Sequence, residues 1–204
     1  MNVFYNKEHV GDVLLVQLAT ESIVNTEVER AGDIAILKEA QTGEIKAFNL
    51  FNASQYIQTD AKGLVEVTPV LVEQLAAAIE KNGASISLDV DFSPKFVIGF
   101  VETKEKHPNA DKLSICSVNV GDETLQIVCG APNVEAGQKV VVAKIGAVMP
   151  SGMLIKEGNL RGVDSFGMLC SARELAIPNA PSEKGILVLP EDAIVGSAFE
   201  SSGK

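Results

Sequence analysis

The order of apolar and polar residues along the chain predicts two units with different patterns. In the first 90 residues, Val13 to Leu18 is an apolar run of strand length. Residues 34–37 and 45–51 are two further strand candidates, and they flank the short segment Gln41-Thr42-Gly43. That segment predicts a hairpin loop, because its glycine can adopt the positive φ that tight turns require.

A helix is predicted after this hairpin. Thr68 is a suitable N-cap and Pro69 a suitable first residue, while Asn82-Gly83 ends the segment. Four residues form its apolar stripe: Val72, Leu75, Ala76 and Ile79. Residues 1–90 are therefore predicted to form a small α+β domain whose role the sequence does not indicate.

Residues 91–204 are predicted to form a second, mostly β domain, separated from the helix by the acidic, Ser- and Pro-containing stretch 88–94. Strands are predicted at residues 96–103, 113–120, 124–129, 139–145 and 186–189. Ser171 and Glu174 fit a capping box for a short helix that Pro178 ends. Five short strands with one helical turn are typical of an OB-fold, which is an all-β, five-stranded Greek-key barrel.

The composition restricts the class of protein. Hydrophobic content is 46%, ordinary for a globular chain, and no apolar run approaches the roughly 18 residues of a membrane-spanning helix. The first residues lack the features of a secretion signal, so we expect a soluble, cytoplasmic protein with no membrane partner. The three cysteines, Cys116, Cys129 and Cys170, are spaced neither as a disulfide framework nor as zinc ligands. We therefore expect them to pack as small hydrophobes, and we expect no metal or other cofactor.

The net charge of −10 argues at first against a nucleic-acid partner. Its distribution weakens that argument. Residues 1–90 contain 6 basic and 13 acidic side chains, whereas residues 95–175 contain 9 of each. The acidic excess lies mainly outside the second domain, so that domain can still present a basic face.

Residues 107–175 contain blocks of small, polar and turn residues that no catalytic arrangement explains. The blocks are His107-Pro108-Asn109-Ala110-Asp111-Lys112-Leu113, Cys129-Gly130-Ala131-Pro132-Asn133, Gly146-Ala147, Arg161-Gly162-Val163, and Ser165-Phe166-Gly167-Met168-Leu169-Cys170-Ser171 through Glu174-Leu175. In this order they resemble the bacterial tRNA-binding domain. That domain occurs in the beta subunit of phenylalanyl-tRNA synthetase, at the C-terminus of methionyl-tRNA synthetases and in small free-standing proteins. The resemblance covers about residues 90–200, and the layout with an extra N-terminal unit resembles free-standing proteins of Gram-positive bacteria.

The resemblance implies an OB-fold that binds tRNA by its shape and carries out no reaction. The residue types agree, because Lys and Arg can contact phosphates, and Asn and Ser can donate to phosphate oxygens or to a 2′-OH. The predicted RNA-binding residues are Lys104, Lys106, His107, Asn109, Lys112, Asn133, Lys144, Lys156, Arg161, Ser165, Met168 and Ser171. Residues 95–175 contain only three aromatic residues, so a structured backbone is a better fit than stacked single-stranded bases.

Several of the predicted RNA-binding residues also have a purely structural interpretation. His107 precedes a proline and suits a turn, Asn109 and Asp111 suit Asx-turns, and Met168 suits a barrel core. Cys170 lies next to Ser171, but no base is near in sequence, so a nucleophile is not expected.

Two other functions are weighed against tRNA binding. The same barrel can serve as a protein-interaction or chaperone-like module, since relatives of this barrel include a dimeric export chaperone. A contiguous basic face would favour RNA, and interruption by Glu102, Glu105 and Glu157 would favour a protein. An enzyme with its site in residues 1–90 is disfavoured, because that half lacks clustered His, Cys or paired carboxylates.

The sequence predicts the class of ligand but does not identify a particular protein partner. The candidates besides tRNA are an aminoacyl-tRNA synthetase or another protein. A homodimer is left open, because free-standing relatives often pair.

Overall fold

The computed structural model describes residues 1–20 and 25–200, and the chain divides into two compact units, Met1–Ser93 and Pro94–Lys204. The first unit contains the strands β1 (Asn2–Tyr5), β2 (Val13–Gln17), β3 (Thr26–Ala31), β4 (Ile34–Glu39), β5 (Ile45–Phe51) and β6 (Gly63–Val65). They form one sheet in the order β3-β4-β5-β2-β1-β6, and every neighbouring pair is antiparallel.

Helix α1 (Pro69–Lys81) begins and ends as the sequence predicts. The Thr68 hydroxyl accepts a hydrogen bond from the Leu71 backbone N–H at 3.2 Å, which satisfies one of the free donors of the first turn. The buried face consists of Leu71, Leu75, Ala78 and Ile79. Ala76, which the spacing assigns to the apolar stripe, is exposed.

The prediction of an α+β first domain is corrected by this structure, because the described part of the unit is largely β with a single α-helix. The sequence pattern predicts β2, β4 and β5 but not β1, β3 and β6. In β3, residues Thr26 to Arg30 are exposed on both faces, so no alternation of apolar and polar residues marks that strand.

A polar cluster in the first unit ties β1 to the segment after β5. The Asp12 carboxylate accepts hydrogen bonds from the Tyr5 hydroxyl at 2.8 Å and from the Ser54 hydroxyl and N–H at 2.6 and 2.9 Å. The Ser54 hydroxyl, helped by Tyr5 and the Ser54 N–H and opposed by burial, lowers the pKa of Asp12. This cluster is a structural link between two parts of the chain that are 42 residues apart.

The second unit contains the strands β7 (Phe96–Lys106), β8 (Ser114–Asn119), β9 (Thr124–Cys129), β10 (Lys139–Ala143), β11 (Gly158–Leu160), β12 (Val163–Ser165), β13 (Met168–Leu169) and β14 (Val188–Leu189). One sheet has the order β13-β10-β7-β8-β9, with β14 also paired to β10, and β11–β12 is a separate hairpin.

The sheet of the second unit closes on itself through the segment between β12 and β13. The Phe166 N–H donates to the Gln126 carbonyl at 2.9 Å, and the Val128 N–H donates to the Ser165 hydroxyl at 3.0 Å. Because β13 pairs with β10, the free edge of β9 is connected back to the opposite edge of the sheet. The result is a nearly closed, barrel-like sheet that is consistent with an OB-fold.

The interior of this barrel is aliphatic, as the shortage of aromatic residues predicts. One cluster of buried side chains includes Val101, Val118, Ile127, Val134 and Val140, and a second includes Val141, Met149, Ile155 and Leu175. Cys116 and Cys129 belong to the first cluster and Cys170 to the second, which confirms that the cysteines pack as small hydrophobes.

Two local predictions for the second unit are corrected. Residues 172–176 form turns instead of a helix, although the capping-box hydrogen bonds are present. The β11–β12 hairpin lies in a stretch that the sequence pattern predicts to be turns and loop.

Within residues 1–20 and 25–200, no helix has both the length and the apolar character needed to cross a membrane.

Candidate nucleic-acid interface

Two loops that are far apart in sequence meet at one end of the barrel, and we call this place the loop–hairpin junction. It consists of the loop 107–113, between β7 and β8, and the hairpin 158–165. The His107 imidazole lies 2.9 Å from the Leu160 carbonyl oxygen, measured from Nε2, and the Asn109 side-chain amide donates to the Arg161 carbonyl at 3.2 Å. Predicted residues from two separate sequence blocks are therefore held together here.

The His107 side chain is 2% exposed, and both of its ring nitrogens are used. The Asn109 N–H donates to Nδ1 at 3.0 Å, so Nδ1 carries no proton and Nε2 must donate to the Leu160 carbonyl. The His107 N–H also donates to the Leu113 carbonyl at 3.1 Å, which closes the loop. His107 therefore fixes the loop against the hairpin and has no ring nitrogen left for a ligand.

The hairpin turn places Arg161 at an exposed tip. Arg161 and Gly162 have φ of 52° and 92°, as the two central residues of a type I′ turn require. Asn159 supports the turn, because its Oδ1 accepts from the Gly162 N–H at 2.9 Å and its Nδ2 donates to Asp164 at 2.6 Å. The exposed Arg161 guanidinium makes no hydrogen bond or ion pair with any described residue.

The cations near the junction differ in how they are paired. Lys112 is exposed and, like Arg161, has no ion-pair partner among the described residues. Lys106 lies 3.4 Å from Asp111, both highly exposed, so this pair is weak. Lys104 is held more closely, with Nζ 2.9 Å from Glu135. Lys112 and Arg161 are thus the cations near the junction that are most available to an anionic ligand.

Lys144 lies away from the junction. The Lys144 N–H donates to the Lys95 carbonyl at 2.8 Å, at the start of β7, whereas the junction follows the end of that strand. The Lys144 ammonium lies 2.8 Å from Glu123 and 3.7 Å from Asp122. Lys156 follows Ile155, which is hydrogen-bonded to Gly146 and Ala147. Three of the predicted cations thus have acidic neighbours: Glu135 lies beside Lys104, Asp111 beside Lys106, and Asp122 and Glu123 beside Lys144.

Three other predicted residues border a groove on the second unit. The groove has a volume of about 650 Å³ and lies between the segments 128–133, 168–174 and 181–187. Asn133 joins two of these segments, since its side chain donates to the Ile186 carbonyl at 3.0 Å and accepts from the Ile186 N–H at 2.9 Å. Ser171 supports the third by hydrogen bonds of its N–H and hydroxyl to Glu174, both at 2.7 Å. Met168 is half-buried on the same groove.

Ser165 has a structural position. Its side chain is 4% exposed, accepts from the Val128 N–H and donates to the Gly167 carbonyl at 3.2 Å.

Cys170 is fully buried, and burial raises the pKa of its thiol to about 12. No group of three or more His, Cys, Asp or Glu side chains within the described residues is placed to hold a metal ion.

Sequence reasoning misses Arg173 and Lys184, which also line the groove. Arg173 lies inside the last of the sequence blocks and Lys184 follows it, and neither has a spacing signal that links it to Gly130 or Met168. Only the closure of the barrel brings these segments together.

Comparison with known proteins identifies the family. Residues 96–198 match the family described as "Putative tRNA binding domain", and residues 22–91 match a domain of unknown function, DUF4479. The chain is 56% identical over 200 residues to the Bacillus subtilis protein named "Putative tRNA-binding protein YtpR", which covers 98% of this chain and 100% of that protein.

More distant similarity extends to synthetases. The chain is 50% identical over 139 residues to the phenylalanine–tRNA ligase beta subunit of Oceanobacillus iheyensis, covering 64% of this chain but 17% of that subunit. The crystal structure of a MetRS-related protein from Pyrococcus horikoshii aligns with a TM-score of 0.39 at 23% identity, over 52% of this chain and 88% of that one. With a family match over half of its length and a relative 56% identical over nearly all of it, the chain belongs to the tRNA-binding domain family.

Proposed function

We propose that this protein binds structured tRNA through the second unit and catalyses no reaction itself. The observation that carries the proposal is the loop–hairpin junction, which holds Lys112 and Arg161 at one end of a family-matched, OB-like barrel without ion-pair partners among the described residues. Cations that are fixed by a rigid scaffold but not neutralised by it suit a phosphate backbone.

Eleven of the twelve predicted residues, all except Met168, receive roles of three kinds in this proposal. Lys112 and Arg161 contact phosphates, with Lys106 as a weaker third contact, and Asn109 offers an amide near the same surface. His107, Asn133, Ser165 and Ser171 position the loops, because their polar side-chain atoms are engaged inside the protein. Lys104, Lys144 and Lys156 lie on the periphery and contribute through the field of the protein rather than by direct contact.

Recognition of shape follows from the small number of available cations. Two or three phosphate contacts correspond to a slope of about −2 in a plot of log K against log salt concentration. Such a modest electrostatic contribution does not by itself distinguish tRNA from other polyanions. The discrimination therefore has to come from the fit of the barrel end to a folded RNA, in which the 2′-OH groups distinguish RNA from DNA.

The absence of a reaction is supported by the state of the thiols. Cys170 beside Ser171 is the residue that a nucleophilic mechanism would use, but burial keeps its pKa near 12 and the thiol protonated. We propose that residues 91–204 form the complete binding domain, as a Greek-key OB-fold, and that residues 1–90 serve a different role.

A second candidate function, a protein-interaction module, is favoured by one observation. Lys104, Lys106 and Lys144 are each paired with acidic side chains, so much of the second unit presents mixed charge instead of a basic field. Mixed charge suits a protein partner, such as an aminoacyl-tRNA synthetase or a second copy of this chain.

The test is binding of fluorescently labelled bulk tRNA to the full chain at several salt concentrations. A short single-stranded RNA and a DNA duplex of similar charge serve as competitors. Binding with weak competition and a salt slope near −2 supports the proposal. No binding at low salt removes it and leaves the protein-interaction module as the leading function.

A further inference from the structure

We propose that the groove between segments 128–133, 168–174 and 181–187 receives a single unstacked nucleotide of the bound RNA. This inference rests on the proposed tRNA-binding function and adds a subsite to it. The volume of about 650 Å³ is within the range of roughly 300–1,000 Å³ that small-molecule sites occupy. The occupant is therefore of nucleotide size, rather than a helix or a run of bases.

The floor of the groove is suited to the flat face of a base. Met168, Ala131 and Leu187 are half-buried residues of the lining, and buried Cys129 also belongs to it. Methionine packs favourably against aromatic rings, because its thioether is polarisable and unbranched. A base can stack on this apolar surface, which takes the place of the aromatic side chains that most single-strand-binding barrels use.

The rim of the groove is suited to a phosphate. Arg173 and Lys184 are exposed at the rim, and Lys184 makes no hydrogen bond or ion pair with a described residue. Arg173 donates once, to the Pro181 carbonyl at 3.4 Å, which leaves most of its five donors available. The lining also contains two exposed carboxylates, Glu183 and Glu174, and the latter accepts hydrogen bonds from Ser171.

The walls of the groove are fixed before any ligand arrives. Asn133 clamps its own segment to Ile186 by two hydrogen bonds, and the Ser171–Glu174 box stiffens the opposite wall. Gly185 is needed in this arrangement, because a Cβ at that position would lie 2.7 Å from the Asn133 side chain. A preformed site loses little conformational freedom on binding. The few contacts that a single nucleotide makes are therefore enough to hold it.

The groove is adjacent to the loop–hairpin junction. Gly130 lines the groove, and a Cβ at Gly130 would lie 3.2 Å from Leu113 Cδ2 and 4.0 Å from the Lys112 carbonyl oxygen. In this inference, one RNA strand contacts both Lys112 and the groove. This continuity favours a nucleotide of the same RNA over the side chain of a separate protein.

The first experiment titrates the ¹⁵N-labelled full chain with AMP, GMP, CMP and UMP separately and follows the amide resonances. We expect shifts confined to residues 128–133, 168–174 and 181–187, with at least one nucleotide preferred. If no mononucleotide shifts these residues at millimolar concentration, or if shifts are spread over the whole unit, the inference is overturned.

The second experiment fills the groove. Ala172, half-buried on the groove, is replaced by Trp, and exposed Ala136, outside the groove, is replaced by Trp as the matched control. We expect Ala172→Trp to weaken tRNA binding about tenfold, which is the loss of one stacking contact, and to leave binding of a blunt RNA duplex unchanged. Ala136→Trp changes neither.

A third variant covers the case in which Ala172→Trp fails to fold. Lys184→Glu alters only an exposed side chain, and we expect it to weaken both mononucleotide and tRNA binding. If the wild-type chain binds tRNA and the folded groove variants bind equally well, the groove is not an RNA subsite and the proposed function stands. If the wild-type chain does not bind tRNA, the proposed function itself fails.

Discussion

At the scale of single residues, Lys112 is the simplest test of the junction. The Lys112→Glu substitution replaces an exposed cation that has no described ion-pair partner, so the barrel has no reason to unfold. We expect tRNA affinity to fall about tenfold and the salt slope to become shallower by about 1, as loss of one phosphate contact implies. Lys62→Glu, which makes the same charge change at an exposed site of the first unit, is the control for net charge. Equal effects of the two variants would show that only long-range charge is sensed.

His107 is expected to act by position rather than by contact. His107→Gln retains a donor near the Nε2 position, and His107→Asn retains an acceptor near the Nδ1 position, so each keeps one of the two ring hydrogen bonds. We expect both variants to remain folded and to bind tRNA more weakly, because the loop is no longer fixed at both points.

The positioning role of His107 predicts that its imidazole is held in a single tautomer, which NMR can detect. In a ¹⁵N correlation spectrum, His107 should show a protonated Nε2 and an unprotonated Nδ1, while His9, the only other histidine, provides an internal reference. A fully averaged His107 ring would contradict the positioning role.

The cysteines are predicted to be inert in the native state. Burial raises the pKa of Cys116 to about 11 and that of Cys170 to about 12, and it also raises the pKa of Cys129. Because the thiolate is the reactive form, a thiol reagent at pH 8 should label Cys116 and Cys170 more slowly than an unfolded thiol by a factor of at least about 100. Labelling of Cys129 should also be slowed. The same chain in guanidinium should release all three thiols. Rapid labelling of one native cysteine would refute this.

At the scale of elements, a substitution in the β11–β12 hairpin is expected to affect stability and tRNA binding in different directions. Arg161 has a positive φ, which costs a non-glycine residue about 1 kcal/mol, so Arg161→Gly should leave the free energy of unfolding unchanged or raise it. The same substitution removes an exposed cation and should weaken tRNA binding. Denaturant unfolding and tRNA titration of this variant measure the two effects separately. A large loss of stability would mean that the Arg161 side chain has a packing role.

The elements also show where sequence reasoning succeeds. Helix α1 and strand β9 are predicted well, because a Thr-Pro start and apolar residues at alternate positions are local signals. The β11–β12 hairpin is not predicted, because its strands have three residues each and its turn uses Arg at a position where glycine or asparagine is usual. β3 is missed because both of its faces are exposed.

The candidate site is predicted in composition but not in arrangement. The sequence blocks identify His107, Asn109 and Arg161, yet only the structure shows that the first two hold the loop to the backbone of the hairpin. Lys144 and Lys104 have the right residue type, but nothing in the sequence shows that Glu123 and Glu135 lie beside them. Long-range pairing of this kind depends on the closure of the barrel and has no local signal.

At the scale of the whole molecule, charge is divided between the two units. Residues 1–90 have 13 acidic and 6 basic side chains, and residues 91–204 have 14 and 11. A fragment of residues 90–204 should fold and bind tRNA, and at low salt it should bind at least as tightly as the full chain, because the acidic unit no longer repels the polyanion. The two affinities should converge at high salt. A folded fragment that does not bind would move the activity to residues 1–90 or to a surface that needs both units.

The contact between His107 and Leu160 also has a consequence for synthesis of the protein. The two residues are 53 positions apart, so the loop 107–113 is not fixed until the hairpin has been made and has folded. Contacts between residues distant in sequence form late, because the intervening chain must first lose its freedom. A nascent chain that ends before the hairpin therefore has no completed junction. If the proposed function holds, we expect the growing polypeptide to bind tRNA only after the hairpin and strand β13, which closes the barrel, have left the ribosome.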